Sequence, residues 1–155
     1  MGFTTPCFIR KNTPELREKL KGLGYSHGKP KYYADNDDNK YDFIMCHNGK
    51  FFLLSQENHV IRNGHPLKKY GSIDCGTNEE LFLAIAALRD DTDDNQLFTN
   101  GKGDWGIYRD GSDGSLPGMD FYGMPNDFNL LYYHKATVNE LIEHFKDKKE
   151  QLCVE

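Results

Sequence analysis

Phe8-Ile9-Arg10-Lys11-Asn12-Thr13-Pro14-Glu15-Leu16, running on to Leu20, reads as a strand end passing into a capped amphipathic helix. The pattern returns twice. Ile73, Thr77, Glu80, Leu81 and Ile85 keep the spacing of Phe8, Asn12, Glu15, Leu16 and Leu20, and so do Tyr133, Thr137, Glu140, Leu141 and Phe145. In the first copy Asn12 or Thr13 is placed to cap the free amides. Pro14 sits in the first turn, where no amide partner is needed, and Glu15 complements the helix dipole. In the other copies Thr77 with Glu80, and Thr137 with Glu140, fit the Thr-x-x-Glu capping box.

The three helices differ in apolar load. Helix one offers Leu16, Leu20 and Leu23 on one face and stops at Gly22 and Gly24. Helix two, over about residues 78–90, runs Leu81-Phe82-Leu83-Ala84-Ile85-Ala86-Ala87-Leu88 and is expected to be the most buried. Helix three carries Leu141, Ile142 and Phe145 before the charged run 146–150, so it packs on one side only.

Between the helices the chain reads as strands joined by tight turns. Asn48-Gly49 separates 41–46 from 50–54, Asn63-Gly64 separates 59–61 from the stretch 67–73, and Asn100-Gly101 lies between 96–99 and 105–108. Asn-Gly between apolar runs is a strong hairpin signal, because both residues tolerate positive φ. The expected architecture is one α+β domain over 1–155, with a mixed or antiparallel sheet and three helices packed on one face. Its repeated β-α-β-β units span approximately 6–62 and 67–109, and a β-α unit closes it over 130–147. Residues 110–129, with Gly111, Gly114, Pro117, Gly118, Gly123 and Pro125, are expected to be irregular. Their apolar side chains either cover an open end of the core or form a partner surface through Met119, Phe121, Tyr122 and Met124.

Composition bounds the function. Aromatic residues make up 13% of the chain, which argues against disorder. The mean hydropathy of −0.74 is low for a globular protein and follows from charged residues and turn-forming Asn and Gly. A net charge of −5 disfavours nucleic acid as a partner, since phosphate neutralisation needs a basic surface. No run approaches the ~18 apolar residues of a membrane span, and the N-terminus lacks the basic and apolar stretches of a leader. Four dispersed cysteines without Cys-x-x-Cys point to reduced thiols and a cytoplasmic setting.

Most chemistry fails on spacing. Loops beginning at Asp35 or Asp91 place Lys40 and Cys46, or Gln96 and Lys102, where an EF-hand requires Gly and Glu, so both read as solvated acidic turns. No zinc-ligand spacing, nucleophile elbow or phosphate-binding loop occurs, and no cofactor or metal is expected. An enzyme using Cys75 and His134, each just before a helix N-terminus, is one alternative. An oligomerising structural protein is another. The candidate for ligand binding is an anion site at the helix N-termini: Arg10, Lys11 and Asn12, Thr77, and His134, Lys135 and Thr137. Trp105 and Arg109 would add stacking and charge there. The plainer reading leaves these cations facing solvent and the caps merely structural.

The stretches from Thr5-Pro6-Cys7-Phe8 to Leu20, from Ile73-Asp74-Cys75-Gly76 to Asp91, and from His134-Lys135-Ala136-Thr137 to Phe145 carry a resemblance. Spanning about a third of the chain, they look like small uncharacterised proteins of phages and prophages in gut Bacteroidota. The resemblance brings no catalytic motif. It implies a cytoplasmic accessory protein of a mobile element, a candidate anti-defence factor that blocks host enzymes or sequesters host signals. The residues and the resemblance together point to a non-catalytic binding protein, holding either a small anionic, nucleotide-like ligand or a host protein.

Overall fold

The structure, a computed structural model, describes residues 2–28, 40–55 and 71–153. The expected hairpin at Asn63-Gly64 and the acidic turn 35–39 lie outside the described residues. The chain divides into two compact units, essentially Phe3–Ala87 and Leu88–Glu155.

The first unit contains β1 (Cys7–Ile9), α1 (Pro14–Gly22), β2 (Ser26–His27), β3 (Phe43–His47), β4 (Lys50–Leu54), β5 (Ile73–Asp74) and α2 (Glu79–Ala87). Its strands form a mixed sheet in the order β2-β4-β3-β1-β5. β1–β3 and β3–β4 are antiparallel, while β1–β5 and β2–β4 are parallel. Asn48 and Gly49 join β3 to β4 with φ of 51° and 76°, the left-handed pair a two-residue type I′ hairpin requires. β1 is buried along its whole length. Alternation sends Phe8 to a cluster with Phe43 and Met45, against which Phe52 and Leu54 pack. Phe51, Ile9, Ile44, Leu16, Leu20, Phe82 and Ile85 are fully buried in the same unit. The Tyr25 hydroxyl donates to the Ala86 carbonyl at 2.8 Å, satisfying one of the acceptors left open at the end of α2.

The second unit contains β6 (Leu97–Thr99), β7 (Trp105–Arg109), β8 (Gly118–Phe121), β9 (His134–Lys135) and α3 (Val138–Cys153). A 3₁₀ turn, Leu130–Tyr132, precedes β9. The sheet runs β8-β7-β6-β9 and is antiparallel throughout. The α+β class holds, but the described strands form two sheets where one was expected. The strands that open the repeats pair differently: Cys7 and Phe8 lie parallel to Ile73 and Asp74, whereas His134 and Lys135 run antiparallel to Thr99 and Phe98.

Three further expectations need correction. Thr77 does not cap α2; Asn78 does, its Oδ1 accepting the Leu81 amide at 3.1 Å. Gly76, at φ 59°, turns the chain between β5 and α2 and sets the helix start one residue later than the repeat implies. α2 correspondingly ends at Ala87 rather than near residue 90. Finally, the stretch expected to be irregular contains β8, paired residue by residue with β7. Gly106 makes that pairing possible, because a Cβ there would lie 2.7 Å from Met119 Cγ and 2.9 Å from the Asp120 carbonyl oxygen. Among the described residues no helix is long and apolar enough to cross a membrane.

Candidate functional site

The cations of the proposed anion edge are matched by acids or carbonyls. In the first unit the Arg10 guanidinium meets Asp74 with Nη2 at 2.8 Å and Nε at 3.4 Å, lying over the Phe8 and Phe43 rings. Burial opposes the Asp74 charge, but hydrogen bonds from Arg10 and the Gly76 amide prevail and hold its carboxyl below the usual range. Lys11 Nζ lies 3.4 Å from Glu79. Of the two candidate caps for α1, Thr13 serves: its hydroxyl accepts the Leu16 amide at 3.1 Å. Asn12 instead donates to the Tyr41 carbonyl at 2.8 Å and accepts from Arg17. Thr77 is exposed in the turn before α2.

In the second unit His134 Nε2 lies 2.8 and 2.9 Å from the two oxygens of Glu140. Thr137 and Glu140 form the expected capping box, with reciprocal amide bonds of 3.0 and 3.2 Å. Lys135 points into the acidic turn, donating to the carbonyls of Arg89 and Thr92 at 2.5 and 2.6 Å and pairing with Asp93 at 3.2 Å. Arg109 pairs with Asp120 at 3.1 Å and also donates to Asn95. Trp105 is buried, its indole stacked on His144 at 4.3 Å, so this ring serves the core.

Cys75 is buried, and Cys7 stands directly opposite Cys46 across β1 and β3. Hydrogen bonding to Cys7, followed by burial, pushes the Cys75 thiol well up. Cys7 is pushed up by hydrogen bonding to Cys46 and by burial. A neutral buried thiol is a poor nucleophile, and His134 belongs to the other unit. Among the described residues no group of three or more His, Cys, Asp or Glu is arranged to hold a metal ion. A recess of about 340 Å³, open to solvent, lies between Phe3–Pro6, Tyr25 and His47-Asn48 of the first unit, and among the described residues no Lys or Arg lines it.

The feature that stands out is apolar. Among the described residues the exposed large hydrophobic side chains all fall between 116 and 132: Leu116, Tyr122, Met124, Phe128, Leu130, Leu131 and Tyr132. Leu116, Met124 and Leu131 are each more than four-fifths exposed, at 91%, 84% and 89%. The backbone that carries those from Tyr122 to Tyr132 is held. Buried Asp104 accepts the Asn126 amide at 3.1 Å on one oxygen and the Asn100 side-chain amide at 2.8 Å on the other. The Tyr133 hydroxyl donates to the Asp127 carbonyl at 2.7 Å, and the Tyr122 amide to the Trp105 carbonyl at 2.9 Å. Asn129 caps the 3₁₀ turn through the Leu131 amide at 3.1 Å.

Of the four partner-surface residues expected from sequence, Tyr122 and Met124 are exposed. Met119 and Phe121 are half-buried: Met119 closes over Gly106, and Phe121 meets Phe128 and Tyr133 edge-on. Sequence reasoning missed Leu130, Leu131 and Tyr132, because an apolar run leading into a strand reads as core. The signal available was Asn129, a capping residue set before a run too short for a helix. Compared with known proteins, the chain matches no family model, no curated protein and no solved structure.

Proposed function

We propose that this chain is a non-catalytic binding protein that acts by occupying a partner protein, and that it engages the partner through residues 116–132. The supporting observation is the set of exposed apolar side chains carried on a backbone fixed by Asp104, Asn129 and Tyr133. Exposed large apolar side chains concentrated in one segment of a small domain are interface-like. In the mobile-element setting that the resemblance implies, the partner is a host protein whose activity is blocked. The small anionic ligand is the weaker mode, because Arg10, Lys11, His134 and Lys135 each have an acidic partner.

The two modes separate by mutation. Leu131→Ser with Met124→Ser should abolish recovery of the partner when tagged protein is purified from its host and analysed by native mass spectrometry. Arg10→Glu with Lys11→Glu should leave recovery intact. The reverse pattern, or a small molecule retained by the serine variant and lost from the glutamate variant, would assign the function to the helix N-termini instead.

A further inference from the structure

β8 ends the second sheet on one side, and among the described residues β7 is its only strand neighbour. Which of its backbone groups face outward follows from the ladder. The Tyr122 amide donates to the Trp105 carbonyl at 2.9 Å, one step beyond the Phe121–Gly106 pair. In an antiparallel ladder, pairs that exchange hydrogen bonds alternate with pairs that do not. Tyr122, Asp120 and Gly118 therefore turn their amides and carbonyls to β7, while Met119 and Phe121 turn theirs away. β7 agrees from its other side: the Tyr108 amide donates to the Gln96 carbonyl at 3.0 Å, towards β6 and away from Met119 opposite it. The outer edge of β8 thus presents two amides and two carbonyls, and no residue of the strand is buried. Natural sheets guard such an edge with charge, proline or a bulge. Here the one charged side chain on β8, Asp120, is drawn onto β7 by Arg109 at 3.1 Å, and Pro117 guards only the strand's start.

Donors and acceptors that repeat every second residue, about 7 Å apart, are matched by another extended backbone. Resting on the reading of 116–132 as a protein-binding surface, we propose that the partner contributes an extended segment that joins the sheet beside β8. Met119 and Phe121 share one sheet face, where Met119 closes over Gly106 and Phe121 meets Phe128 and Tyr133. Guest residues opposite these two are apolar, and the guest residue opposite Asp120, on the other face, is polar. A second copy of β8 fits worse in a two-fold antiparallel pair. Centred on Asp120, it sets that carboxylate, already paired with Arg109, against its own copy at the closest cross-strand approach. Centred on Met119, it sets Pro117, which has no amide, opposite Phe121. Centred on Phe121, it sets Gly123, whose φ of 68° is not extended, opposite Met119.

The test uses the full chain and an end-blocked peptide of about seven residues alternating Thr and Val, within the usual strand length. A second peptide carries N-methyl groups on its Val amides, and binding is followed by NMR of the labelled protein. The plain peptide should protect the Met119 and Phe121 amides from hydrogen exchange and leave those of Asp120 and Tyr122, already bonded to β7, little changed. The methylated peptide should bind at least about tenfold more weakly, equivalent to about 1.4 kcal/mol. Met119→Pro removes one outward donor and spares the β7 ladder, as proline on an edge strand does, and should weaken binding several-fold. Met119→Ala keeps the amide and should weaken it less. Equal binding of the two peptides, or binding that leaves Met119 and Phe121 unprotected, overturns the added strand. No binding at about 1 mM peptide, the weak limit of measurable association, overturns it too. Recovery of the partner from the host that is lost in Leu131→Ser with Met124→Ser but persists in Met119→Pro overturns the added strand and leaves the protein-binding reading intact. Recovery that persists in both variants overturns that reading itself. A concentration-dependent dimer in light scattering that Met119→Pro makes monomeric gives the edge to a second copy and overturns the proposal.

Discussion

Asp104 joins three parts of the second unit through one carboxylate: the β6–β7 loop at Asn100, the displayed segment at Asn126, and β7, which starts at the next residue. The Asn126 amide, aided by Asn100, keeps this carboxyl below its usual range against the opposing effect of burial. A depressed carboxyl contributes stability above the ordinary Asp range and loses it as pH falls through the folded value. The protection of the Asn126 amide from hydrogen exchange, taken against the intrinsic rate at each pH, should therefore fall in acid. Asp104→Ala should produce the same loss of protection at neutral pH, and protection unchanged by this substitution would remove Asp104 from the role. The thiols make a second prediction at this scale. In a Cys153→Ser background, Cys7, Cys46 and Cys75 should resist a disulfide reagent until the protein is unfolded, since all three are buried and the Cys7 and Cys75 thiols are pushed up, by hydrogen bonding and burial, into the neutral form. Fast native labelling would contradict their burial.

At the scale of elements, the three strand-to-helix joints share a sequence pattern but not one cap geometry. Thr13 and Asn78 cap five residues after the pattern's first apolar position, and Thr137 caps four after it. Asn78→Ala should cost about 1 kcal/mol in chemical denaturation, as lost N-caps do, whereas Thr77→Ala should cost much less. Equal losses would restore the sequence-based cap. Helix positions, the Asn48-Gly49 hairpin and the Thr137–Glu140 box were legible because each depends on neighbours within a few residues. The cap offset was not, because it depends on the turn Gly76 makes after β5. β8 was hidden for a different reason: Gly118 and the glycines and prolines on either side of the strand argue against regular structure locally, and the missing Cβ of Gly106 on the facing strand admits it. Gly106→Ala should therefore destabilise by about 1–3 kcal/mol, the range for overpacking a tight contact. It should also weaken β8 pairing first, readable as faster exchange at the amides of Gly118–Phe121.

Across the whole molecule, the same split between local and distant determinants separates what could be read of the candidate site. Tyr122 and Met124 announced themselves as apolar residues in a turn-rich stretch. Leu130 and Leu131 did not, since whether an apolar run faces inward depends on what the rest of the chain leaves uncovered. The cations at 10–11 and 134–135 looked available because their acidic partners, Asp74, Glu79, Asp93 and Glu140, come from other segments or from the next turn. Charge also differs along the chain: the acidic excess sits in residues 88–155, while residues 1–87 hold 12 Lys and Arg against 10 Asp and Glu.

The fixed backbone under Tyr122–Tyr132 has a kinetic consequence. A loop that wanders in solution must surrender its freedom when it is captured, at a cost of roughly 1–2 kcal/mol for each residue frozen. Here that ordering is accomplished during folding, by Asp104, Asn129 and Tyr133. On the proposed reading, capture of a partner requires no search among loop conformations, so the on-rate is governed by diffusion and orientation. Differences in affinity among surface variants should accordingly appear in how long the complex lasts.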